Sequence, residues 1–206
     1  MPSLSRILRA LPAVALLAIG ACAKPEANSA DSAVVQSPAA TTDTGMAGMD
    51  HTNMAGMNRG PAKDGDQEFL RMMVDHHEGL IVMVDEGMEK ATSAGAKADA
   101  KKLHDKQQTE RDRMVAMLKS AYTDSIMPMA MPSATAMSDT LGQKSGAEYD
   151  RTMYRFIVAH HREALAMIDR MKPGMTRADV KAMADRMRAD QAKEIAAFEK
   201  KAGSAS

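Results

Sequence analysis

The sequence contains no tryptophan, three phenylalanines, three tyrosines and a single cysteine. With so few large rings, any core must be filled by aliphatic side chains and methionine. One cysteine excludes a framework of internal disulfides. Charge of one sign is missing as well: 27 basic residues balance 27 acidic ones, with no basic stripe to recognise nucleic acid. Long apolar runs are absent apart from Leu11 to Ile19, which is too short to span a bilayer as a helix. No glycine-rich loop is present to cradle a phosphate.

Methionine is what the chain has in excess. There are 21 among 206 residues, roughly four or five times ordinary usage. On helices a flexible thioether fills irregular gaps in a core poor in aromatics. Methionines outside helices have no such packing reason, and they carry an oxidation liability.

Residues 1–21 read as an export leader. Arg6 and Arg9 precede the apolar run, and Gly20 and Ala21 close it before Cys22. The tetrapeptide Ile-Gly-Ala-Cys resembles a bacterial lipobox, which implies lipidation of Cys22. Ala23 after it resembles the signal for outer-membrane sorting in a Gram-negative cell. The expected location is therefore the periplasm, with the membrane touched only through the N-terminal lipid. Loss of Arg6 and Arg9 leaves 25 basic against 27 acidic residues, a mature charge of about −2. The mature chain then has no free thiol.

Residues 22–63 are dominated by Ala, Ser, Thr, Gly and Asp, and cannot bury enough apolar surface to order themselves. They read as a tether. Within it lie Met46, Met49, His51, Met54 and Met57, a soft-donor pattern for which metal capture supplies a reason.

Residues 64–202 are organised by a duplication. MMVDHHEG around His76 and His77 returns 84 residues later as FIVAHHRE around His160 and His161. The register continues without a gap, with Met83 on Met167, Asp85 on Asp169, Gln107 on Gln191 and Glu110 on Glu194. Chance does not keep one offset over about 45 residues. Copy one spans 64–121 and copy two 145–202, joined by a methionine-rich linker, 122–144, that holds Met127, Met129, Met131 and Met137. Apolar residues at helical spacing predict four helices, over about 64–90, 96–121, 147–171 and 177–201. Asp64 or Asp66 is expected to cap the first, and Thr176 the fourth, with Asp179 at its third position. Four amphipathic helices paired by duplication make one all-α four-helix bundle, since either hairpin alone would leave its apolar stripe wet.

Adjacent histidines on a helix point about 100° apart. One of each pair is expected on the apolar stripe and its neighbour on the shoulder. Met72 and Met73 share a face with His76 and His77, a set of soft and borderline donors suited to Cu(I), with Cu(II), Zn and Ni also open to imidazole. In the second copy Phe156 and Ile157 replace the two methionines. Met83 and Met167 each lie seven residues beyond the first histidine, about 10.5 Å along the axis, which points to core packing or neighbouring sites. The competing reading makes the histidines buried polar spacers, bonded to Glu110, Glu194, Gln107 or Gln191 on facing helices. His104, matched by Arg188, reads as a surface residue. Catalysis is not expected: no histidine follows a glutamate at the Glu-x-x-His spacing of di-iron bundles, and His77-Glu78 lacks the second histidine of a zinc protease.

The paired signatures, MMVDHHEGLIVM with QQTERDRM and FIVAHHREALAM with DQAKEIAAF, resemble the bacterial domain-of-unknown-function family numbered 305 over about residues 66–201. The resemblance implies a ferritin-like helical bundle, often exported, with copper-binding periplasmic members linked to copper tolerance. It carries over to Met73, His76, His77, His160 and His161, and to the following Met83 and Met167. Asp75 and Ala159 stand where many relatives have proline, and Arg162 where the first copy has Glu78. The expected function is an exported copper binder favouring Cu(I), with Cu(II) or Ag(I) as other cargo. It would buffer metal or hand it to a copper-handling partner protein, and a homo-oligomer is the other expected partnership. If only one site lies in the bundle, His76 and His77 are expected to hold it. The alternative is a structural or partner-binding bundle with buried histidine pairs and no physiological metal.

Overall fold

The computed structural model describes residues 59–204, and among them every regular element is helical. The leader, Cys22 and the tether residues Met46, Met49, His51, Met54 and Met57 lie outside the described residues. Helix α1 spans Gly65–Lys90 and starts where the Asp64 carboxylate accepts the Gln67 N–H at 2.8 Å. Helix α2, Ala94–Tyr122, begins with the Ser93 hydroxyl accepting from Ala96 N and ends at Thr123, which adopts the left-handed conformation, φ 56°. Helix α4, Gly146–Met171, runs into a 3-10 turn, Lys172–Gly174, built on Pro173, and α5 follows as Ala178–Ser204.

Two local expectations change. The linker is not irregular throughout, because Pro132 in the first turn starts an 11-residue helix, α3, Pro132–Gly142. It seats Ala134 and Leu141 in the interior. Thr176 does not cap α5, which starts two residues later. Its hydroxyl donates instead to Asp66 Oδ2 at 2.6 Å.

That bond belongs to a reciprocal fastening of the two copies. Asp66, at the start of α1, also accepts from Thr176 N and Arg177 N in the turn before α5. Asp150, its counterpart at the start of α4, accepts from Thr92 N at 2.7 Å and Ser93 N at 2.9 Å in the turn before α2. Each copy thus ties the turn of the other, satisfying amides that helix starts leave unpaired. Burial pushes the Asp66 carboxyl up, but the Thr176 hydroxyl and the Thr176 and Arg177 amides outweigh it and hold its pKa below the ordinary value.

Helices α1 and α4 run antiparallel through the middle of the bundle. The start of α1 meets the end of α4, where a Cβ on Gly65 would stand 2.6 Å from Gly174 O, and Gly87 near its other end meets Met153. Helix α2 packs on α1, α5 packs on α4, and α3 lies on both α1 and α4. The apolar core forms two clusters. Phe69, Leu70, Met73, Met114, Leu118 and Ile168 anchor one. Leu80, Met83, Leu103, Tyr149, Met153 and Ile157 anchor the other. The duplicated histidines belong to neither.

Candidate metal centre

Between the two clusters the bundle carries a buried polar layer. All four histidines of the duplicated pairs are in it, none more than 2% exposed, so the expectation of one buried and one shoulder histidine per pair fails. The reason is that each central helix is covered on two sides: its first histidine faces the other central helix, and its second faces the flanking helix of its own copy. His77 Nε2 lies 3.0 Å from Glu110 Oε2 on α2, and its Nδ1 lies 2.9 Å from Met73 O. The second copy repeats the pairing, with His161 Nε2 3.0 Å from Glu194 Oε2 on α5, within ion-pair distance though off the line of a hydrogen bond. Lys106 on α2 reaches across to Glu194 at 2.8 Å. Burial pushes Glu194 up, but its contacts with His161 and Lys106 win and its pKa is lowered.

The first histidines do something else. His76 and His160, one from each copy, face each other with ring centroids 3.7 Å apart and planes tilted by 41°. Neither nitrogen of His76 has a hydrogen-bond partner, nor has His160 Nδ1. His161 Nδ1 and Glu163 Oε1 beside them are likewise unpaired, as are the buried Gln107 on α2 and Gln191 Oε1 on α5. Leaving one such group unsatisfied costs about 1–3 kcal/mol, so a layer of them calls for a partner. Burial, then the neighbouring imidazoles of His160, His77 and His161, hold the His76 pKa well below 6.5. Burial, then the imidazoles of His161 and His77, lower His160 to about 3. Both rings are therefore neutral at pH 7, with lone pairs available and no proton to displace.

Glu163 completes the surroundings and was not legible as part of them. Its Oε2 lies 4.0 Å from His76 Nε2, and burial raises its pKa. In the repeat it falls on Gly79, and that asymmetry was its signal in the sequence. Gly79 lacks a side chain because α3 fills the place: an added Cβ would stand 2.5 Å from Ala134 Cβ and 3.5 Å from His160 Nε2. One copy thus offers a carboxylate to the imidazole pair, and the other offers room for α3.

The methionines divide. Met72, Met73 and Met167 pack in one apolar cluster and Met83 in the other, so Met83 and Met167 lie on opposite sides of the histidine layer. Among the described residues no three His, Cys, Asp or Glu side chains already converge on one point. What is preorganised is a pair of neutral imidazoles with thioethers in the apolar clusters on either side and a carboxylate nearby. Beside the expected site on His76 and His77, the structure pairs His76 with His160, ring centroids 3.7 Å apart, closer than the neighbours His160 and His161 on one helix at 6.5 Å. His104, half-buried beside Asp85 and Asp105, lies away from the layer.

The family model described as "Domain of unknown function (DUF305)" matches the chain in two successive segments, residues 20–118 and 119–202, each holding one histidine pair. The chain belongs to the DUF305 family. Among solved structures, a DUF305 fragment from Deinococcus radiodurans superimposes with a TM-score of 0.61 at 22% identity, over 70% of this chain and 99% of that one. CopM in its Cu(I)-bound form gives a TM-score of 0.57 at 24% identity, over 66% of this chain and 93% of that one. CopM is also known in Cu(II)-bound, Ag-bound and apo forms. These likenesses establish the DUF305 helical bundle as the fold. No curated protein matches the chain in sequence.

Proposed function

We propose that this DUF305 protein binds copper, as Cu(I) in preference to Cu(II), and buffers it or hands it on without catalysis. The observation that carries the reading is the His76–His160 pair, two neutral buried imidazoles with unpaired nitrogens in a layer otherwise surrounded by apolar side chains. Soft and borderline donors of this kind suit Cu(I) and Ag(I). CopM, which shares the fold, is crystallised with Cu(I), Cu(II) and silver. Rings in direct contact must turn about their side-chain torsions to admit an ion, and Glu163 can offset the charge that enters. Among the described residues no helix is long and apolar enough to cross a membrane. The leader and Cys22 support export and a lipid anchor in the periplasm, with Met46, Met49, His51, Met54 and Met57 as further donors on the tether.

The test is an anaerobic Cu(I) titration of the mature chain against a competing chelator, with His160→Ala beside it. Binding that outcompetes the chelator and weakens in the variant supports the proposal; no binding in either chain refutes it. A structural role is favoured for His77 and His161, each already beside a carboxylate on the flanking helix. If all four histidines are only structural, copper or silver leaves the melting temperature unchanged, whereas binding to the native state must raise it.

A further inference from the structure

The segment joining α2 to α3 puts thioethers where packing does not. Met127 and Met131 precede Pro128 and Pro132, which disfavours helix and holds the chain extended, as at Met131, φ −67° and ψ 148°. Exposure alternates along it. Asp124, Ile126, Pro128 and Ala130 are half-buried, while Ser125, Met127 and Met129 are exposed. That is the period of an extended chain with one edge in water. The outer edge carries Met127 at 81% exposure and Met129 at 44%. Two long, flexible side chains two residues apart, roughly 6.6 Å along the backbone, can close on one ion.

The backbone beneath them is held beside the imidazole pair. Met129 N–H donates to Asp75 Oδ1 at 3.0 Å, and Met127 O accepts from Arg59 Nη2 at 2.6 Å. The guanidinium of Arg59 forks onto the same Asp75 carboxylate at 2.7 and 3.0 Å. Asp75 is buried, and the next residue is His76. Copy two has Ala159 at the matching position, so only copy one has this anchor. The third thioether, Met131, is buried, and its backbone N lies 3.9 Å from the point where a Gly79 Cβ would stand. His160 Nε2 lies 3.5 Å from the same point. Met127, Met129 and Met131 therefore run from solvent towards the paired rings.

We infer that Met127 and Met129 form a surface site for a soft monovalent cation, Cu(I) or Ag(I), which passes by way of Met131 to His76 and His160. Thioether gives way to imidazole by ligand exchange, the ion keeps its charge, and no electron or proton moves. The surface site stands on the exposed methionines alone. Passage inward rests on the proposed function.

The probe is Ag(I), titrated into the full mature chain with 13C-methyl methionine, beside Met127→Leu/Met129→Leu. Leucine keeps apolar bulk at two exposed positions and removes the sulfur. Met46, Met49, Met54 and Met57 are leucine in both chains, so that the tether does not compete. The Met127 and Met129 methyl signals are expected to shift at the first additions. Cu(I) transfer from a chromogenic chelator, followed by stopped-flow absorbance, is expected to slow at least fivefold in the double variant with the same final occupancy. If Ag(I) raises the melting temperature while those two signals stay still, the surface site is wrong and the proposed function stands. If those signals shift while the ring signals of His76 and His160 stay still, the surface site stands and the buried pair is not its destination. An unchanged transfer rate overturns passage through Met127 and Met129.

Discussion

His76 of the first copy and His160 of the second stand ring against ring, 3.7 Å between centroids, while His77 and His161 turn away to Glu110 and Glu194. The duplication has therefore produced one imidazole pair shared between the copies, flanked by two histidines that each face a carboxylate. Removing either half of the shared pair should have the same consequence. His76→Ala and His160→Ala are each expected to weaken Cu(I) binding by the bundle at least tenfold, about 1.4 kcal/mol. His77→Ala should lower stability with a smaller effect on affinity. Chelator competition and denaturant unfolding on the same samples separate the two behaviours, and an unaffected His160→Ala chain would return the site to the first copy alone.

Acid should destabilise the metal-free fold earlier than its carboxylates would. The folded-state pKa values of His76 and His160 are depressed, the latter from 6.5 to about 3. Below 6.5 the unfolded chain therefore binds protons that the native chain refuses, and stability falls as pH drops from that value towards 3. Each ring contributes up to about 1.4 kcal/mol per pH unit in that window. Urea midpoints are expected to fall between pH 6 and pH 5, where depressed carboxylates such as Asp66 do not yet titrate. A His160→Asn chain should show a shallower fall, and an equal slope would contradict the assignment.

Gly79→Ala tests the seat of α3. Its Cβ would meet Ala134 Cβ at 2.5 Å, so α3 must shift or α1 must bend, at about 1–3 kcal/mol against an alanine gain in helix propensity of up to about 1. Gly95→Ala, with nothing within 4 Å of the new methyl, is the control and should be neutral or stabilising. Thermal melts of the two variants should move apart.

Asp66→Ala and Asp150→Ala should each destabilise by about 2 kcal/mol or more, because each strands amides in the turn of the opposite copy. Amide hydrogen exchange should quicken at Thr176 and Arg177 in the first variant, and at Thr92 and Ser93 in the second. Exchange that quickens only near the mutated residue's own helix start would show that the copies are not fastened to each other in this way.

The sequence by itself determined the all-α class, the duplication and the four main helices, because the period of the apolar residues and the 84-residue offset are local or self-referential signals. Glu110 and Glu194 were also readable as histidine partners, since each sits on the inward face of a helix at the matching offset. Only the tertiary structure decided which histidine meets which. Neighbours about 100° apart on one helix look like a pair in sequence, yet the antiparallel approach of α1 and α4 brings His160 onto His76, while α2 and α5 draw His77 and His161 aside. The roles of Asp66 and Asp150 were hidden for the same reason: their partners lie on the other copy, and nothing in a local pattern reports contacts 57 to 111 residues away. The helix at Pro132–Gly142 escaped because its short, small-residue pattern has no apolar stripe of its own. It is held by Gly79, where a missing side chain leaves room for it.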